Sequence, residues 1–98
     1  MNAYVIGQTV HISTTTVFTD TLGAAADPTT VTLIIEEPDG TETTYTYAGA
    51  TVVKLAVGSY YRDHTPDQAG IHTWRWIGVT GSNVAVDEGQ FRVLRSRI

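Results

Sequence analysis

Three histidines are the side chains of this 98-residue chain best suited to bind a metal ion or to act as a general base: His11, His64 and His72. Local zinc sites use spacings such as His-x-His or His-Glu-x-x-His, and neither occurs here. Because the chain also lacks cysteine, a zinc site would have to be assembled across strands. We therefore predict no metal site, and we expect His72 to lie at the edge of the core with its ring bonded to a backbone carbonyl.

Acidic side chains cluster at three places: Glu36, Glu37 and Asp39; Asp63 and Asp67; Asp87 and Glu88. Calcium sites gather about six or more oxygen ligands, often from dense runs such as Asp-x-Asp, and no such run occurs here. These carboxylates are therefore interpreted as solvated turn residues, and calcium is not expected.

Sequence motifs of catalysis and nucleotide binding are also missing. The chain has no G-x-S-x-G, no G-x-x-x-x-G-K-[ST] and no G-x-G-x-x-G. A domain of this length leaves little room for a deep pocket. We predict no catalytic residue, no bound cofactor and no enzymatic activity.

The charge balance is acidic, with ten Asp and Glu against six Lys and Arg and a net charge of −4. Proteins that hold nucleic acid neutralise its phosphates with basic side chains, so nucleic acid is not expected as a partner. Nowhere do about 18 apolar residues follow one another, so no membrane span is predicted. Three of the six basic residues, Arg92, Arg95 and Arg97, stand near the C-terminus. A short basic tail is expected at 95–98.

Apolar and polar residues alternate with a period of two along most of the chain, which is the pattern of half-buried β-strands. Thr and Val, which favour the pleated surface of a sheet, are abundant. Turn residues, such as those from Pro38 to Gly40, separate the alternating segments. The pattern predicts almost no helix and seven strands, at 9–18, 31–37, 41–48, 51–57, 59–65, 71–79 and 84–94.

The alternation assigns one face of each predicted strand to the core. In the sixth strand it places His72, Trp74 and Trp76 inward and Arg75 outward. Gly89 in the seventh strand is interpreted as a β-bulge. The predicted core consists of Val10, Ile12, Phe18, Val31, Leu33, Ile35, Leu55, Trp74, Trp76, Phe91 and Val93.

Seven short strands with turn signals between them favour a single all-β domain over 1–98, built as two antiparallel sheets packed into a sandwich. A closed barrel is the competing architecture. The stretch D-Q-A-G-I-H-T-W at 67–74 is similar to the Asp-x-Gly/Ala-x-Tyr-x-Cys pattern of immunoglobulin-like folds, with Trp74 at the position of the cysteine. The expected fold is therefore an immunoglobulin-like β-sandwich of about seven strands.

Apolar and aromatic residues on the outward faces of the predicted strands indicate a surface that contacts another molecule. Tyrosine suits such a surface because its ring packs while its hydroxyl stays hydrated. One tyrosine of each pair, at 45 and 47 and at 60 and 61, is expected to face outward. The candidate interface consists of Ile34, Tyr45, Tyr60, Ile71, Arg75, Ile77, Arg92, Arg95 and Arg97.

Several segments together resemble a group of small immunoglobulin-like proteins that are encoded among the virion structural genes of tailed bacteriophages. These segments are D-P-T-T-V-T-L with the following P-D-G-T turn, G-S-Y-Y-R-D-H-T, A-G-I-H-T-W-R-W-I-G and E-G-Q-F-R-V-L. They consist mainly of turns, core aromatics and strand ends, and the resemblance extends over nearly the whole chain. His72 departs from the pattern, since the family often has an aromatic residue there.

What the resemblance implies is a non-enzymatic component of a phage virion. The first expectation is a capsid decoration or cement protein that stabilises the head by binding neighbouring subunits. The alternatives are an accessory protein of the neck or tail, and a displayed immunoglobulin-like module that binds carbohydrate on the host surface. The expected partners are a phage capsid or tail protein and, for the last alternative, a host-surface glycan.

Overall fold

Strands account for most of the residues that the computed structural model of the protein describes, which are 2–14, 18–19, 23–49, 51–81 and 83–95. Among these residues there is no helix. The strands are β1 (Asn2–Val5), β2 (Val10–Ser13), β3 (Thr30–Glu36), β4 (Glu42–Thr46), β5 (Val53–Ala56), β6 (Ser59–His64), β7 (Gly70–Thr80) and β8 (Asn83–Leu94).

The strands form two sheets, one of five strands in the order β1-β8-β7-β3-β4 and one of three in the order β2-β6-β5. This all-β arrangement of two sheets is consistent with a β-sandwich. Neighbouring strands are antiparallel, except that β1 runs parallel to β8. The sequence pattern does not predict β1, because its four residues carry little alternation and their partner is supplied by the opposite end of the chain.

The first predicted strand is longer than the strand that forms. β2 ends at Ser13, and Phe18 lies outside any strand, with its backbone N–H donating to the Gly58 carbonyl at 2.9 Å. Positions 15–17 lie outside the described residues. The Phe18 ring nevertheless reaches the core, where it is 5% exposed.

The two sheets enclose a core that contains nine of the eleven residues predicted for it: Val10, Ile12, Phe18, Val31, Leu33, Ile35, Trp76, Phe91 and Val93. Val52 and Tyr60 are buried with them, although neither was expected there. Trp74 is only partly buried and packs against the edge of this cluster. The alternation along β3, β7 and β8 therefore identified the inward faces of the three central strands.

The prediction that Leu55 belongs to the core is wrong, because its side chain is 65% exposed. The buried face of this segment has the other parity: Val52 is 3% exposed, and Lys54 lies opposite the buried Tyr60 in the strand register. Since T-V-V-K-L-A-V has apolar residues on both faces, alternation could not select between them. Lys54 lies on the Tyr60 side of β5 and remains partly exposed, with its Nζ donating to the Asp27 carboxylate at 2.6 Å.

The interpretation of Gly89 as a β-bulge is also wrong. The register between β7 and β8 runs without a shift from Gly70 opposite Val93 to Thr80 opposite Asn83. Gly89 lies opposite Trp74, and a methyl group at position 89 would overlap the indole ring, 2.6 Å from its Cε2. Glycine is therefore needed here because the Trp74 ring packs directly on the backbone of β8.

Candidate functional site

The outer face of the five-stranded sheet carries five of the nine exposed large apolar side chains in the described part of the chain: Val5, Ile71, Val84, Val86 and Leu94. Strand alternation produces this face directly. Because His72 and Trp76 point into the core, Ile71, Arg75 and Ile77 must point outward. Two groups of apolar residues lie on this face, separated by polar residues.

The first group, termed the valine zone, is a block of four β-branched side chains from β7 and β8: Ile77, Val79, Val84 and Val86. Ile77 lies directly opposite Val86, and Val79 directly opposite Val84. Val84 is 63% exposed and Val86 is 54% exposed. An apolar block this open on a sheet face is typical of a surface that packs against another molecule.

A charged row borders the valine zone. Arg75 lies opposite Glu88, and their side chains form an ion pair. Ile34 on β3 lies on the other side of Arg75 and is half-buried. The next row is polar, with the Gln90 amide donating to the Thr73 hydroxyl at 3.4 Å.

The second group, termed the arginine zone, lies at the other end of the same face: Val5, Ile71, Arg92 and Leu94, with the exposed Arg95 directly after the end of β8. Ile71 lies opposite Arg92, and Val5 lies opposite Leu94. The three apolar members are each between 41% and 44% exposed. Apolar side chains next to arginine are the composition of many protein interfaces.

The arginines of this zone have no acidic partner among the described residues. The other lysine and arginine side chains in the described part of the chain each have a partner: Lys54 pairs with Asp27, Arg75 pairs with Glu88, and Arg62 donates to the Thr51 carbonyl at 2.7 Å. Arg92 and Arg95 are therefore the described cations that remain available to an external acceptor. The predicted Arg97 lies outside the described residues.

Two tyrosines assigned to the candidate interface point toward the core instead of outward, and these assignments are wrong. Tyr60 is 2% exposed and belongs to the core. Its neighbour Tyr61 takes the outward position beside His11, with the two rings 4.7 Å apart. Tyr45 lies opposite the buried Leu33 and therefore also faces inward.

The remaining assignments divide between the two groups. Ile77 belongs to the valine zone, with Arg75 and Ile34 beside it, whereas Ile71 and Arg92 belong to the arginine zone, together with Arg95. Sequence reasoning missed the exposed apolar residues Val5, Val84, Val86 and Leu94. For Val84 and Val86 a signal was present, because their parity in β8 is opposite to that of the inward Phe91 and Val93.

The Asp27 carboxylate joins the loop before β3 to the three-stranded sheet. It accepts hydrogen bonds from Lys54 Nζ at 2.6 Å, from the Gly58 backbone N–H at 2.9 Å and from the Tyr60 hydroxyl at 3.0 Å. The bonds from Lys54 and Gly58 lower the pKa of Asp27 to about 2. Burial, together with the bond to Asp27, raises the pKa of Tyr60 to about 12.

We expect Asp27 to stabilise the fold in a pH-dependent way. Its pKa falls from 3.8 to about 2 in the folded chain, so its contribution is complete above about pH 4 and is lost as the pH falls towards 2. Asp27→Asn should therefore lower the urea midpoint at pH 7, and the difference from the wild type should close between pH 4 and pH 2. Asp63→Asn is the control, because its ion pair with His11 is 56% exposed on both sides and should contribute little. A midpoint difference for Asp27→Asn that persists at pH 2 would contradict this role.

Two of the three histidines lie between the sheets. His72 is fully buried, stacks on Phe91 with ring centroids 4.9 Å apart, and places Nδ1 3.4 Å from the Gly70 carbonyl oxygen. His64 approaches the edge of the Tyr45 ring, and burial lowers its pKa. Within the described residues, no three His, Cys, Asp or Glu side chains are grouped so as to hold a metal ion.

No protein-family model and no curated protein matches this chain. In the described residues, no helix is long and apolar enough to cross a membrane.

Proposed function

We propose that the chain is a non-catalytic structural protein of tailed-phage virions, and that it acts as a capsid decoration or cement protein. The observation that carries the proposal is the arginine zone, an exposed apolar surface bordered by two arginines without acidic partners in the described chain. Such a surface fits an acidic, partly apolar protein surface that is repeated around a particle.

The strand order supports an immunoglobulin-like classification of the domain. The order β2-β6-β5 corresponds to strands B-E-D of that fold, and β8-β7-β3-β4 corresponds to G-F-C-C′. The fold by itself carries no function. It explains, however, how a short chain without disulfides presents a rigid, open sheet face to a partner.

A small domain can stabilise a large particle because its contacts are repeated. A single contact through Ile71, Leu94 and the arginines would be weak, because it involves few side chains. When the protein contacts two neighbouring subunits, the second contact forms at a high effective concentration and dissociation becomes slow. The arginines would supply charge-assisted hydrogen bonds to carboxylates of the capsid subunits. A neck or tail position would use the same contacts on a different repeated surface.

The exposed side chains favour a protein partner over a host-surface glycan. In the described chain, the exposed large apolar residues are aliphatic with one exception, Tyr47. The Tyr47 ring already contacts the Tyr60 ring, with centroids 5.5 Å apart. A flat platform of several exposed aromatic rings, the feature that would indicate glycan binding, is not present among the described residues.

We expect Ile71→Glu to weaken attachment to phage particles by at least about tenfold, because it places a carboxylate at the centre of the arginine zone. The measurement is co-sedimentation of purified protein with particles that lack it. Val53→Glu is the matched control, since Val53 has similar exposure on the other sheet, 47% against 41%, and this variant should attach normally. Equal attachment of the two variants would show that the arginine zone is not the surface that binds the particle. Absence of the protein from purified particles would overturn the proposed function as a whole.

A further inference from the structure

The outer face is organised in rows in which each β7 residue lies opposite one β8 residue. Four successive rows are described by the register between these strands: Val79 with Val84, Ile77 with Val86, Arg75 with Glu88, and Thr73 with Gln90. Two rows are therefore apolar, one pairs opposite charges, and one pairs an amide with a hydroxyl.

This arrangement is complementary to itself. Consider a second copy turned by a two-fold axis that lies in the contact plane, between β7 and β8 and parallel to them. The axis places β8 of the second copy over β7 of the first, with each row facing the same row. Ile77 then faces Val86 of the second copy, and Arg75 faces Glu88 of the second copy. The third row becomes a ring of four alternating charges.

We propose that the valine zone binds a second copy of this chain, forming a symmetric dimer about this axis. Two sheets can pack face to face about 10 Å apart with their strands nearly aligned, and branched aliphatic side chains fill the space between them. The contact is isologous, so each favourable interaction occurs twice. Charge complementarity selects a second copy, because a foreign partner would need to match the Arg75 and Glu88 pair in the same register.

The dimer goes beyond the proposed function and does not rest on it. Val86 in the valine zone and Arg92 in the arginine zone are six residues apart on β8, about 20 Å along the strand. Dimerisation can be measured without phage particles. Failure of one proposal is therefore distinguishable from failure of the other.

The first experiment is sedimentation velocity of the full chain over a range of concentrations. The wild type should approach twice the 10.6 kDa mass of one chain as the concentration rises. Val86→Asp should remain monomeric over the same range, since it places a carboxylate within an apolar row. Val86 is exposed, so circular dichroism should show an unchanged fold. A wild type that stays monomeric throughout would overturn the proposal, as would a Val86→Asp variant that still dimerises.

The second experiment tests the axis by exchanging charges. Arg75→Glu gives a chain with two carboxylates in the third row, and Glu88→Arg gives a chain with two guanidinium groups there. Each variant alone should dimerise at least about tenfold more weakly than the wild type, because four like charges meet. A mixture of the two should form a dimer, since every facing pair is then opposite in sign. A mixture that associates no better than either variant alone would overturn the axis and the proposal with it.

Discussion

Trp76→Ala should reduce the free energy of unfolding by about 3–5 kcal/mol, the range for removing a large aromatic side chain from a core. The Trp76 side chain is fully buried between the sheets, opposite Leu33 on β3. Neither sheet can close the resulting cavity without moving its hydrogen-bonded strands. Because small domains are stable by only about 5–15 kcal/mol, this one substitution should bring the chain close to unfolding at room temperature.

The measurement is urea denaturation followed by far-ultraviolet circular dichroism, because the substitution removes one of the two tryptophan fluorophores. Trp76→Phe is the matched control. It keeps an aromatic ring and removes an indole N–H that has no acceptor among the described residues. The control should therefore lose less than half as much stability. A loss below about 1 kcal/mol for Trp76→Ala would show that the indole is not packed between two layers.

Gly89→Ala should destabilise the fold by about 1–3 kcal/mol, the usual range for overpacking. The added methyl group would overlap the Trp74 indole, so the ring must leave its position over β8. The displaced ring should also become more exposed to water. Urea denaturation would measure the loss of stability, and a red shift of the native tryptophan emission would report the movement.

Gln90→Ala is the control for this substitution, since Gln90 is the next residue of β8 and faces solvent. It should change stability by no more than about 0.5 kcal/mol. If Gly89→Ala were as stable as the wild type with unchanged emission, Trp74 would not pack on the backbone of β8. The partly buried position of this indole would then need another explanation.

The sequence predicts the central part of the fold well, because the relevant pattern is local. β3 has one strongly apolar face and β7 carries both tryptophans on one face, so alternation places Leu33 and Trp76 in the core. In β8 both faces carry apolar residues, and the aromatic ring of Phe91 marks the inward one. The outward positions of Ile71, Arg75 and Ile77 follow from the same alternation. The outward placement of these three residues was therefore readable without a structure.

Alternation is ambiguous wherever both faces of a segment carry apolar residues. At the adjacent Tyr60 and Tyr61, both parities carry an apolar ring, so local alternation does not choose between them. Asp27 makes the choice through its bonds to Tyr60 and Lys54, and it lies more than 25 positions earlier in the chain. Lys54 is thereby held on the Tyr60 side of β5, and Leu55 faces solvent. No local pattern contains this information.

By itself, the sequence determined an all-β chain and the inward faces of its three central strands, since strand geometry converts a period of two directly into two faces. Only the tertiary structure decided that β1 joins β8, that β5 turns its leucine outward, and that the exposed residues form two separate zones. Those features depend on contacts between distant segments, and such contacts are selected by the packing of the whole domain.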